Sequence, residues 1–136
     1  MKKLDVQNAV NALGRVAVNK IKDDVVRNVL IHDYLRLRKA SREIEQDRMD
    51  LVEKFQADFR DELQEIQQLR VQGLPVTGHD DFLAAEAETN RLVKELFREE
   101  VAIDLKKVPL EDFVKSVKDG EYTLEDLSAL DGIILE

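Results

Sequence analysis

Leu30 to Phe55 reads LIHDYLRLRKASREIEQDRMDLVEKF, and the spacing within it decides the fold. Leu30, Tyr34, Leu37, Ser41, Ile44, Arg48, Leu51 and Phe55 recur at steps of 4, 3, 4, 3, 4, 3 and 4. That alternation keeps one stripe of a helix turned toward a partner helix. Leu30, Tyr34, Leu37, Ile44, Leu51 and Phe55 form the expected oligomer seam, while Ser41 and Arg48 weaken it and set its register. Neither proline nor glycine occurs from Asp24 to Val71, so the simplest reading is one long helix. At about 1.5 Å per residue it would run to roughly 70 Å, too long for the core of a compact domain of this size. Its seam therefore needs a cover, most simply a second copy of the chain; the alternative is a monomer in which the first helix folds back over part of it. After Phe55 the apolar positions become Phe59, Leu63, Ile66 and Leu69, closer to the period of a straight helix, so the supercoil should relax there.

Working outward, Leu4, Ala9, Val10, Leu13, Val16, Ala17 and Ile21 predict a first helix, with Asp5 placed to cap it and a break near Asn19 to Asp24. Gly73, Pro75 and Gly78 make residues 71–79 the clear loop. Asp80 or Asp81 then caps a helix to about Glu100, with Phe82, Ala85, Thr89, Leu92, Val93, Leu96 and Phe97 as its stripe, lying antiparallel against the long one. Val101, Ile103 and Leu105 alternate with polar or small residues, the period of a strand. Pro109 opens a short helix that Gly120 closes, and Thr123 with Asp126 has capping-box spacing for a last one, ended by Asp131 and Gly132. Ile133, Ile134 and Leu135 are too apolar to lie in water and are expected to pair with Val101 to Leu105 as a short β ribbon. The expected fold is thus mostly α, with a long N-terminal helix in a helical hairpin or coiled coil. A small C-terminal helical lobe would contain the ribbon. One domain is expected over 1–136, with a helical arm over 1–72 and the remaining helix and lobe over 80–136.

Composition narrows the function. The 136 residues are 43% hydrophobic and 37% charged, which excludes disorder throughout, and the absence of cysteine excludes disulfides and thiolate metal sites. Met1 to Val10 is interrupted by Asp5, Gln7 and Asn8 where a signal peptide needs an apolar run, and no stretch is long and apolar enough to span a bilayer. A soluble, cytoplasmic protein with no membrane partner is expected. The net charge of −8 is unevenly spread: residues 1–42 carry ten basic and four acidic groups, and residues 43–136 carry an excess of 14 negative charges. Complementarity within the chain or with a sister chain is the plain reading of that asymmetry, and a basic surface for nucleic acid is the sharper one.

The segment Ser41 to Phe55, SREIEQDRMDLVEKF, carries Asp47, Arg48, Leu51, Lys54 and Phe55 near the middle of a long helix. A loop follows, then LFREEVAID at Leu96 to Asp104 and a short helical piece at Leu124 to Leu130. This order resembles small helical phage and prophage proteins of uncharacterised function. The loop is shorter here than in that pattern. The resemblance implies a phage-associated origin and no known activity.

No nucleophile and base, metal cluster or phosphate loop can be assembled at recognisable spacing, so no enzyme and no cofactor are expected. His32 reads as an ordinary surface residue, with the neighbouring Asp33 side chain turned elsewhere, and His79 with Asp80 and Asp81 reads as a loop end and helix cap rather than a cation site. Glu43, Glu45, Asp47, Asp50 and Glu53 interleave with Arg42, Arg48 and Lys54 as solvated ion pairs. The function expected is that of a helical interaction or structural protein, a homo-oligomer with a dimer favoured, binding other proteins as an accessory or assembly factor. The alternative is a nucleic-acid-binding regulator using Arg36, Arg38, Lys39 and Arg42.

Overall fold

A computed structural model describes residues 1–117 and 121–136. Six α-helices are found among them: α1 Lys3–Arg15, α2 Asp24–Asp58, α3 Arg60–Val71, α4 Asp80–Arg98, α5 Leu110–Ser116 and α6 Leu124–Leu130, with a 3₁₀ turn at Val18–Lys20. The chain is mostly helical. No helix among the described residues is long and apolar enough to cross a membrane. The residues divide into two compact units, one of Met1–Ile44 with Arg98–Glu136 and the other of Glu45–Phe97.

In the first unit, Val6, Ala9, Ala12, Leu13 and Val16 form the buried stripe of α1, whereas Leu4 is exposed. The steps from Val6 through Ala9 and Leu13 to Val16 follow the helical period better than the stripe expected from Leu4 and Val10. The Asp5 carboxylate accepts the Lys2 N–H at 2.8 Å, tying down one of the unpaired donors of the first turn. α1 lies against α6, and its small Ala9 and Ala12 are fully buried. At the end of α1, Arg15 donates from Nε to Asp126 Oδ1 at 2.7 Å. Asp126 is also the third residue of α6 and completes the capping box, accepting the Thr123 N–H and donating its own N–H to Thr123 Oγ1, each at 3.1 Å. Burial alone would raise the pKa of Asp126, but the Arg15 guanidinium and the Thr123 donors outweigh it and hold the carboxyl below its ordinary value.

α2 opens where Asp23 Oδ1 accepts the Val26 N–H at 3.0 Å. The expected single helix from Asp24 to Val71 is interrupted at Phe59, whose backbone leaves helical geometry at φ −124° and ψ 30°. The interruption falls on an aromatic cluster of the second unit, in which Phe55, Phe59 and Phe82 have ring centroids 5.1 to 5.5 Å apart. α3 ends in a Schellman motif: Gly73, at φ 71°, donates to Arg70 O and Leu74 donates to Leu69 O.

Beyond it, His79, just before α4, meets Glu62 of α3, and Arg70 of α3 meets Glu86 of α4. The Phe82 ring at the start of α4 packs on Phe55 and Phe59 around the end of α2, at 5.1 and 5.5 Å between centroids.

The β ribbon is also absent: no strand is assigned among the described residues, and Val108 and Leu135 form an isolated parallel bridge. Val108 donates to Ile134 O at 2.8 Å and accepts from the Glu136 N–H at 3.0 Å. The next rung toward the N-terminus would need the Lys106 and Ile134 N–H groups, but Lys106 donates to Asp33 Oδ1 at 2.8 Å and Ile134 to Leu130 O at 3.0 Å. On the other side Leu110 donates to Glu136 O at 3.2 Å, and there α5 begins. The acceptor of residues 133–136 is therefore Val108 rather than Val101 to Leu105. Those five residues alternate half-buried and exposed as a strand would, and among the described residues only Val101 finds a backbone partner for its N–H, at Met1 O. The expected closing role of Gly120 lies outside the described residues.

Candidate interaction surface

The helical period places Leu30, Leu37 and Ile44 of α2 on one side, and the chain itself buries all three. Their cover includes α1, since Ser41 Oγ donates to Gln7 Oε1 between them in register. The bare seam expected from length alone is thus filled within one chain over this stretch: an N-terminal helix and an extended segment supply what a second copy would have supplied. Tyr34 is half-buried, as are Leu51 and Phe55 in the second unit.

The opposite side of α2 is the unusual one. Ile31 and Leu35 lie one helical turn apart and are 37% and 59% exposed, and Arg38, Lys39 and Arg42 continue the same face. Ile31 and Tyr34 also wall a groove of about 420 Å³ with Leu13, Gly14 and Ala17. The four basic residues singled out by the sequence do not act alike. Arg38 stacks its guanidinium 6.0 Å from the Tyr34 ring centroid. Lys39 and Arg42 meet no carboxylate among the described residues. Arg36 is diverted: its Nε donates to His32 Nε2 at 3.0 Å, and its Nη1 lies 3.9 Å from Asp104.

That diversion corrects the reading of His32 and Asp33. With His32 Nε2 accepting, its Nδ1 carries the proton and donates to Asp33 Oδ1 at 3.1 Å. Asp33 is fully buried, and no donor among the described residues reaches its Oδ2. The row from Arg36 through His32 to Asp33 and the Lys106 N–H joins α2 to the extended segment before α5. Because Arg36 closes the free edge of the imidazole, the row is a brace rather than a base open to a substrate. His79 is likewise engaged, with Nδ1 2.8 Å from Glu62 and Nε2 3.7 Å from Glu65. Its pKa is raised, chiefly by the Glu62 hydrogen bond.

A second surface, missed by periodicity, lies on the C-terminal lobe. Leu110 and Leu124 stand at the first positions of α5 and α6 and are 44% and 84% exposed. They line a groove of about 400 Å³ together with Leu127, Asp131 and Glu136. Glu111 and Glu125 follow the two leucines directly, both exposed. The first residue of a short helix belongs to no repeating stripe, so its exposure is invisible to period counting.

Compared with known proteins, the chain matches no family model, no curated protein and no solved structure.

Proposed function

We propose that this chain is a non-enzymatic interaction or structural protein that works by holding other macromolecules, most simply as an accessory or assembly factor. The observation that carries this reading is the outward face of α2, where Ile31 and Leu35 spend apolar area on water beside Lys39 and Arg42. Neighbouring apolar side chains of this kind, rimmed by charge, suit a protein partner better than a phosphate backbone, which calls for an unbroken basic track. Arg36 weakens the nucleic-acid reading further, since its Nε–H is spent on His32 and its charge is partly countered by Asp104 at 3.9 Å. The likeness of Ser41–Phe55 and Leu96–Asp104 to segments of small phage proteins is in keeping with a phage-associated origin and carries no activity of its own.

Titration with duplex DNA and RNA at two salt concentrations tests the reading. The expected result is no binding that depends steeply on salt. Salt-sensitive binding that disappears in a Lys39→Glu, Arg42→Glu double variant would overturn it in favour of a nucleic-acid-binding regulator.

A further inference from the structure

Resting on the interaction reading above, we propose that the outward face of α2 docks against the C-terminal lobe of a second copy of this chain. The two surfaces are of the same kind with opposite sign. The α2 face presents Ile31 and Leu35 beside Arg38, Lys39 and Arg42; the lobe presents Leu110 and Leu124 beside Glu111, Glu125 and Asp131. Both belong to one compact unit. None of these cations or carboxylates forms an ion pair within the chain among the described residues.

Charge complementarity selects the second copy as the occupant. The same sequence that carries six excess positive charges over residues 1–42 carries fourteen excess negative ones over residues 43–136, so each chain holds both halves of the contact. In a closed two-fold pair, the α2 face of each protomer meets the lobe of the other and the contact is made twice. The affinity comes from covering four exposed apolar side chains per chain. The rim pairs steer the encounter and set its register, each contributing little by itself at a wet edge. This arrangement differs from a coiled-coil seam, since Leu30, Leu37 and Ile44 stay in the core of each protomer.

Charge exchange tests it on the full chain. Light scattering of the unmodified protein should give a mass twice 15.7 kDa, and raising the salt should weaken the pair. An Arg38→Glu, Arg42→Glu variant and a Glu111→Lys, Glu125→Lys variant should each shift the dissociation constant upward by roughly tenfold or more. Their equimolar mixture should recover the doubled mass, because both contacts of the mixed pair are again of opposite sign. Recovery on mixing also shows that each variant is folded. A mass of 15.7 kDa for the unmodified protein at every concentration would overturn the pairing, as would a dimer that both variants leave intact or a mixture that stays monomeric. These results are independent of the nucleic-acid titration, whose failure would instead remove the interaction reading itself.

Discussion

Asp33 is the residue whose neighbours along the chain least foretell its place. It lies within α2, where a carboxyl side chain would ordinarily face water, and it is fully buried. Its Oδ1 accepts the Lys106 N–H from 73 residues away, and that bond holds the extended segment against the helix. Asparagine retains an acceptor at this position, so Asp33→Asn should unfold in urea within about 1 kcal/mol of the parent. Asp33→Ala leaves the Lys106 N–H without its partner and should cost roughly 1–3 kcal/mol. Equal costs for the two substitutions would show that the bond does not secure the segment. His79 offers a test by pH. The Glu62 carboxylate hydrogen-bonds the imidazole and, with the charge of Glu65, outweighs the desolvation that opposes them, raising the folded pKa above its ordinary value near 6.5. A raised folded pKa means stability that is fully present below about pH 6.5 and lost as pH climbs through the folded value. The parent should therefore become easier to denature across that rise, and Glu62→Gln should flatten the slope. A slope of the same size in the variant would dissociate His79 from the effect.

Among the elements, those specified by neighbours along the chain were legible before any coordinates. The capping box of Thr123 and Asp126 opens α6 as its spacing demands, and residues 71–79 break the helical run where Gly73 and Gly78 adopt positive φ. Elements that depend on distant partners were not legible. A β ribbon at residues 101–105 was a sound inference from alternation, yet a strand needs a neighbour with free backbone groups, and the Lys106 N–H was already taken by Asp33. The same segment nonetheless kept its alternating burial. Residues 133–136 found cover as their apolar character required, with Ile134 and Leu135 buried, but against Val108. Burial of large apolar side chains stabilises by roughly 1.5–3 kcal/mol each, a sizeable part of the stability of a small domain. Deleting residues 133–136 should lower the melting temperature by several degrees or more, read by circular dichroism. Unchanged melting would mean that these side chains add nothing to the fold.

Across the whole molecule, two cores form where the apolar side chains are dense enough. One is built on Val6, Leu13, Leu30, Leu37, Phe113 and Ile134, and the other on Ile66, Phe82 and Leu96. The sequence by itself determined the helical class, the positions of most helices, the main loop and the asymmetric charge. Each of these follows from interactions three or four residues apart, or from composition alone. It also marked the basic stretch of α2, where Arg38, Lys39 and Arg42 are exposed as a solvated face should be. Tertiary structure decided what covers each stripe. A heptad pattern states that a helix has an apolar side without naming what lies on it, and here the chain covered Leu30, Leu37 and Ile44 with its own segments. It likewise decided that Arg36 braces His32, and that Arg15 reaches Asp126 from 111 residues away. Such pairings depend on where separate segments come together in space, and no local period encodes that.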